Sequence, residues 1–551
     1  MRAGFFLSFL GLGCFQSEST VGDGVRTTRG PTRVIVVGMD TVRRDEMGVH
    51  GQSRGVTPNL DRIAKDSLVF ENAWAPAPRT RPSFRSATTG RWPKDAKSAP
   101  TLGMLLQQQG YKTAGFVANV QLAEELGFAR GFDTWHLDNM ADADLQVDRA
   151  LDWINKQADN DALLFVHLMD PHIFYQAPEP YLDRFVNPMD RQGLLDRYNR
   201  KDIIKQAQRG MLSDAQKRWI EGRHLGEVAF MDQEIGRLVR TIDALPGQNW
   251  LIIHSDHGEE FWDHGGFEHN HTLHDELLHA VLWIRPPGGL NSENKRVKQP
   301  VSLVDIVPTV LSAVGVPQDT WPTFDGVDLN DFVKGSSGDL EKSLEVRPLQ
   351  IGHMMYSPEQ WGVVVGADKY ILTTGTGDVT WTREGVTQQG PDSDLEGALS
   401  QATGWPILQG WRLRFSELSG PIVLHSGRDF GVVEVIDPED LRSGRANLEW
   451  GETPERHRDD VATLSVSKDR KRLEIKPGSS PHGVVFVQGH PESMLTACGV
   501  EVSTGEAITL CGQTLSLVRG AYLREGLGEP ILSPAPDSSR TEALKALGYL
   551  E

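Results

Sequence analysis

Short apolar runs alternate with amphipathic stretches from about residue 33 to residue 290, and this alternation predicts a sheet with helices on both faces. The run Val34–Val37, continued by Gly38-Met39-Asp40, reads as a strand, as do Phe116–Ala118, Leu163–His167 and Trp250–His254. These runs are apolar at successive positions, as parallel strands covered on both faces must be. Leu225–Leu245 predicts a helix, with Leu225, Val228, Ala229, Ile235, Leu238, Val239 and Ile242 near helical spacing. Thr57–Lys65 opens on Thr-Pro and predicts a second helix, entered through a cap and an early proline. Val301–Val314 predicts an apolar helix closing this part of the chain, whereas residues 173–222 are polar and loop-like, suited to a substrate-side insertion or lid.

After about residue 350 the period changes. Trp361–Val365, Tyr370–Thr373, Pro421–Leu424, Val432–Val435, His482–Val487 and Ala507–Val518 are short runs of period-two character, separated by glycine, proline and aspartate. Thr541–Leu550 reads as a short closing helix. The fold class is therefore α/β, a mixed and mostly parallel sheet flanked by helices, with a β-rich C-terminal part.

A chain of 551 residues exceeds what one core usually supports, so two domains are expected, residues 32–350 and 351–551. A net charge of −19 argues against nucleic acid as a partner, which needs a basic surface, but leaves small anions open because a local pocket can be positive. The first residues, Met1-Arg2 and an apolar run to Gly13, read as an export signal over 1–13, followed by a flexible tether over 14–31. Leu10-Gly11-Leu12-Gly13-Cys14 resembles a lipobox, which would place the protein on the periplasmic or cell-surface side, lipid-anchored to the membrane through Cys14; the other reading is a plain secretory peptide. Cys498 and Cys511 are candidates for a disulfide across adjacent strands or for two separate buried thiols.

Candidate chemistry begins with carboxylates at strand ends. Asp40 and Asp256 each follow an apolar run, and ligand sites of open parallel sheets lie at the carboxyl ends of strands. His257 adds an imidazole beside Asp256, so Asp40, Asp256 and His257 are the expected ligands of one divalent metal ion, Mn, Mg, Zn or, less well matched, Ca. Thr80-Arg81-Pro82-Ser83-Phe84-Arg85 then places Thr80 near a helix N-terminus, where free N–H groups hold phosphate or sulfate, with Arg81 and Arg85 nearby; a capped surface helix with solvated arginines is the plainer reading.

These segments resemble the sulfatase family of alkaline-phosphatase-like hydrolases. Thr80 to Arg91 is similar to that family's signature Cys-x-Pro-Ser-Arg followed by Thr-Gly-Arg, keeping Pro82, Ser83, Thr89, Gly90 and Arg91 in register. Asp40-Thr41-Val42-Arg43-Arg44-Asp45, Thr57-Pro58-Asn59, Asp170-Pro171-His172, Ser255-Asp256-His257-Gly258-Glu259 and Ala546-Leu547-Gly548-Tyr549-Leu550 follow the family in order. The resemblance implies His172 at the ester oxygens and His271 in contact with the sulfuryl group, with His269 as its alternative.

The departures are as specific as the matches. Thr80 stands where the family has the cysteine that becomes formylglycine, so no formylglycine is expected, and Phe84 stands where it has arginine. Arg85 comes one residue late. Ala118 and Val120 occupy the family's substrate-binding lysine and histidine positions, leaving Asn119 as an uncharged candidate for hydrogen-bonding substrate or nucleophile. Seven of the chain's 17 histidines fall between His254 and His279, and some of them are expected either to hold a second metal or to support the loop.

Together these features imply a metal-dependent hydrolase or transferase acting on sulfate, phosphate or phosphonate esters. Thr80 would be its nucleophile, as in the superfamily's phosphoethanolamine transferases, with His172 and His271 binding oxygens or protonating the leaving group. The substrate would be an anionic ester, on a glycan or a phospholipid head group. A degenerate scaffold that binds a sulfated or phosphorylated glycan without turnover is the alternative, and a structural envelope protein the third reading.

Overall fold

The computed structural model describes residues 30–194, 203–290 apart from 204 and 208, 296–352, 360–405 apart from 374–378, 384 and 391, and strands between 407 and 523. The expected export segment with Cys14, the pair Cys498 and Cys511, and Thr541–Leu550 lie outside these residues.

An eight-stranded sheet forms the centre. Its strands in chain order are β1 (Thr32–Met39), β2 (Leu68–Phe70), β3 (Lys112–Val117), β4 (Thr134–Leu137), β5 (Ala162–Leu168), β6 (Gln248–Ser255), β7 (Leu282–Arg285) and β8 (Arg296–Val297). They lie in the order β8-β2-β7-β6-β1-β5-β3-β4. The five from β6 to β4 are parallel, and β7 runs antiparallel to both neighbours. Alternate residues feed two apolar layers, which explains the unbroken hydrophobic runs. Val34, Val36, Leu163, Phe165 and Ile252 meet helices α2 (Thr80–Thr89) and α5 (Ile306–Ala313). Ile35, Val37, Leu164, Val166 and Ile253 meet α1 (Pro58–Ala64), α3 (Ala143–Asn155) and α4 (Asp214–Asp243).

Three predicted elements change. Helix α4 begins at Asp214, not Leu225, because Ser213 and Gln216 form a capping box: Gln216 N–H donates to Ser213 Oγ at 3.2 Å and Ser213 N–H to Gln216 Oε1 at 2.9 Å. The expected helix Val301–Val314 divides into a strand at Val301–Ser302, a turn of 3₁₀-helix and α5. Asp305 makes that break by accepting from Ser302 N–H and Val327 N–H and by pairing with Arg347. In α2, Pro82 is the third helical residue; Thr80 itself is the first.

Beyond residue 349, strands Leu349–Ile351, Gln360–Val365, Asp368–Thr373, Val379–Arg383 and Val386–Gln389 form an antiparallel sheet covered by α6 (Ser393–Thr403). Leu349, Ile351, Val364 and Ile371 pack into the same core as α5. Two more five-stranded antiparallel sheets follow among the described residues.

One close approach fixes how α2 sits on the sheet. Gly38 lies between His167 of β5 and His254 of β6 in register, and the Phe84 ring occupies the space over it. A Cβ on Gly38 would stand 2.4 Å from Phe84 Cε1. Gly38→Ala is therefore expected to destabilise the fold by about 1–3 kcal/mol through overpacking, read as a lower urea midpoint at unchanged slope. An unchanged midpoint would mean that Phe84 moves aside freely.

Candidate active site

The carboxyl ends of β1, β5 and β6 are stitched together just where the predicted ligands begin. Asp40 N–H donates to Leu168 O at 3.0 Å and Asp256 N–H to Met39 O at 3.2 Å, so the two aspartates start from neighbouring strand ends. Thr41, between them and the next turn, has φ 57°, an uncommon conformation for a β-branched residue, and its N–H donates to Asp256 Oδ1 at 3.3 Å.

Asp40, Asp256 and His257 are fully buried and offer ligand atoms within 4.8 Å of one another. His257 Nε2 is 3.3 Å from Asp256 Oδ2 and 3.8 Å from Asp40 Oδ1. Its Nδ1 faces Gly258 O at 2.9 Å and carries the proton, leaving Nε2 as the lone-pair nitrogen. Asp40 Oδ1 and Asp256 Oδ2 are buried without a hydrogen-bond partner. Two orphaned carboxylate oxygens facing one imidazole lone pair fit a divalent cation and little else.

The electrostatics agree. Burial acts to raise Asp40, but the hydrogen bond from His167 and the neighbouring His172 outweigh it and hold the carboxyl well below the usual range. Asp256 moves the other way, raised well above that range by burial and by the Asp40 charge. Burial, then the neighbouring His269, lowers His257 to about 3, keeping it neutral as a ligand must be.

Thr80 opens α2 at this cluster. It is 1% exposed, and its Oγ1 stands 3.5 Å from His257 Nε2. Ser83 Oγ donates to Asp256 O at 2.6 Å, tying α2 to the metal segment. A row of imidazoles continues from His257: the His269 ring lies 4.6 Å from it, centre to centre, and His172 lies 5.2 Å from His269. His269 Nδ1 is 2.8 Å from Glu259 Oε1, and Tyr175 OH donates to Glu259 Oε2 at 3.4 Å.

Three expected contacts fall elsewhere. His271 is not in this row; its Nε2 pairs with Glu260 at 2.7 Å and its Nδ1 meets His269 O at 3.1 Å, so it staples the loop, while His269 takes the place beside His257. Glu260 outweighs burial and raises the His271 imidazole. Arg85 points away, donating to Leu126 O at 2.8 Å and lying over Phe128. Asn119 is fully buried and joined to Asp40 Oδ2 at 2.9 Å, so it orients a metal carboxylate, its own Oδ1 accepting from Gln121 N–H. Arg43 is committed to Asp45 and Asp263.

Sequence reasoning passed over His167 and His224. His167 Nδ1 accepts from Ala118 N–H at 3.3 Å, and its Nε2 stands 3.3 Å from Asp40 Oδ2. Its position at the end of a predicted strand, level with Gly38, was the available signal. His224 on α4 is fully buried, with Nε2 3.0 Å from Glu46 Oε1 and Nδ1 3.0 Å from Pro171 O, which joins the loop after Asp40 to the loop bearing His172. A second ligand-type group, Glu260, His264 and Glu276, lies along the same histidine-rich segment. Its polar atoms are already matched: Glu260 Oε1 accepts from His264 N–H and Gly266 N–H, and His264 pairs with Glu276.

Comparison with known proteins covers the region of the central sheet. The family model described as Sulfatase matches residues 32–316. The chain is 23% identical over 406 residues to the ulvan-active sulfatase of Formosa agariphila, covering 63% of this chain and 74% of that protein. It is 25% identical over 316 residues to phosphoethanolamine transferase EptC of Escherichia coli K12, covering 53% of this chain and 52% of the relative, about half its length. The crystal structure of phosphonate monoester hydrolase of Agrobacterium radiobacter shares the fold, with a TM-score of 0.51 at 16% identity, over 62% of this chain and 87% of that one. A metal-type cluster at the sheet edge, inside a matched segment that spans more than half of the chain, places it in the sulfatase family, to which it belongs.

Proposed function

We propose that this protein is a metal-dependent hydrolase or transferase of anionic sulfur or phosphorus esters, with Thr80 as nucleophile. The observation that carries the reading is the buried Thr80 hydroxyl 3.5 Å from His257 Nε2, the nitrogen that Asp256 and Asp40 also approach. Asp40, Asp256 and His257 would hold a divalent cation, which supplies positive charge that acidifies a nearby hydroxyl and offsets charge on the ester oxygens.

In this reading Thr80 Oγ, acidified by the cation's charge, gives its proton to solvent water and forms a bond to sulfur or phosphorus while the bond to the ester oxygen breaks. His269 or His172, adjacent in the imidazole row, gives the departing alkoxide its proton. The resulting Thr80 ester is then cleaved by water, or by an acceptor alcohol in a transferase. Ser83 and Asn119 position the machinery, through Asp256 O and Asp40 Oδ2 respectively. The names of the relatives, an ulvan-active sulfatase and a phosphoethanolamine transferase, support an anionic ester as the substrate class. The N-terminal sequence supports an exported location, with Cys14 as the candidate anchor. Among the described residues no helix is long and apolar enough to cross a membrane.

The test is turnover of aryl sulfate, phosphate monoester, phosphate diester and phosphonate by the purified chain with Mn²⁺, Mg²⁺, Zn²⁺ or Ca²⁺. Thr80→Ala is expected to lower kcat on the best substrate by about a thousandfold or more, and Thr80→Ser to retain most of it. Full turnover by Thr80→Ala would remove Thr80 as the nucleophile. Anion binding without turnover under any metal would favour the second reading, a binding scaffold, which the apolar Phe84, Ala118 and Val120 at the family's charged positions support.

A further inference from the structure

The loop that carries His269 holds a side chain with no assigned task. Asn270 is fully buried, and neither its Nδ2 nor its Oδ1 has a hydrogen-bond partner. Its backbone is left-handed, φ 77°, two residues after Glu268 at φ 71°. Its N–H donates to Pro78 O at 3.1 Å, two residues before Thr80, and its chain neighbour His269 packs on His257. An amide buried with both ends unmatched is costly, and a strained backbone adds to the cost. Gln146 and Gln350 are likewise unmatched at both ends among the described residues, but Asn270 is the one whose loop lays His269 against His257, where a bound anion would complete it.

We propose that the Asn270 carboxamide binds the transferred group and selects phosphate monoesters over sulfate esters. Nδ2 donates to an unprotonated oxygen of the group. Oδ1 is an acceptor and needs a donor: a phosphate monoester retains a P–OH near its second ionisation, about pH 6, whereas a sulfate ester has no proton to offer. Sulfate would therefore leave Oδ1 buried against an anionic oxygen, while singly protonated phosphate satisfies both ends of the amide. The inference rests on the reading of Thr80 and its neighbours as a group-transfer centre, and it names the group transferred.

Binding separates the two claims. Metal-loaded full-length Thr80→Ala protein is titrated calorimetrically with inorganic phosphate and with inorganic sulfate at about pH 6. Phosphate is expected to bind at least about tenfold more tightly, the value of one hydrogen bond to a charged group. Adding Asn270→Gly, which keeps the left-handed backbone and removes the amide, should weaken phosphate about tenfold or more and erase the preference. Asn270→Asp should weaken both anions by repulsion. Equal affinities in the parent, no binding of either anion, or a preference that survives Asn270→Gly would overturn the proposal; in the last case a buried water satisfies the amide. None of these outcomes depends on turnover, so the nucleophile assignment stands or falls separately.

Discussion

Asparagine in place of Asp256 is expected to give a folded protein that binds no divalent cation and turns over its substrate at background rate. Asp256 and Asp40 are buried side by side, and burial with the Asp40 charge raises Asp256 well above the usual carboxylate range. Two carboxylates buried this close repel one another when both are charged, and a bound cation would relieve that repulsion. For Asp256 the folded value exceeds the unfolded one, so its contribution favours the fold at low pH and is lost as pH rises past the unfolded value. Asparagine removes that loss, and metal-free Asp256→Asn should match or exceed the parent in thermal stability at neutral pH. The variant lacks the anionic oxygen Oδ2, however, which in the parent is orphaned beside His257 Nε2. A cation at a thousandfold excess over its Kd stabilises the parent by about 4 kcal/mol. Differential scanning calorimetry with and without Mn²⁺ or Zn²⁺ should show that shift in the parent and none in Asp256→Asn. A wild-type metal shift in the variant would move the ligand assignment away from this strand end.

His224→Leu is expected to cost about 3–5 kcal/mol of stability, the usual effect of removing one partner from a buried ion pair. Both ring nitrogens of His224 face acceptors, Glu46 Oε1 and Pro171 O, so the imidazole carries two protons and a positive charge. Burial opposes that charge, but Glu46, then Glu259 and Pro171 O, outweigh it and raise the group above its ordinary value. Its contribution is complete below the unfolded value, about pH 6.5, and declines as pH rises through the higher folded value. Urea unfolding at acid and alkaline pH should show this decline in the parent, and the Leu variant should lack it. Pairing His224→Leu with Glu46→Gln should recover part of the loss, because the orphaned carboxylate is then gone. A parent without the decline, or a double variant no better than the single one, would mean that His224 is neutral. Since His224 holds Pro171, beside His172, the single variant should also lower kcat more than it raises KM.

Parallel strands announce themselves by their apolar runs, and the ligands that follow those runs directly were legible for the same reason. Asp40, Asp256 and His257 needed only the rule that chemistry gathers at carboxyl ends of strands. His269 and His271 could not be separated that way. They sit two residues apart in a loop whose direction is set by positive φ at Glu268 and Asn270, and no side-chain period carries that turn. Arg85 looked available because of its charge, yet the Leu126 carbonyl and the Phe128 ring that hold it come from a segment about forty residues away. The start of α4 was legible in principle, since Ser213 and Gln216 stand at capping-box spacing. The polar texture of the preceding insertion masked it.

Phe84 limits which substitutions this site accepts. Its ring packs against Phe165, His167 and His254 and fills the space above Gly38, where no Cβ fits. Arginine placed at this position would have to bury a guanidinium among aromatic rings, over a glycine that offers it no side chain. Cysteine placed at position 80 would then stand beside a floor that does not accommodate the family's arginine. The two changes are useful only together and only after repacking, so no single substitution gives this chain the family's ordinary site. The packing of one phenylalanine thus acts as a lock on the floor below α2, barring a guanidinium from the place the family gives it.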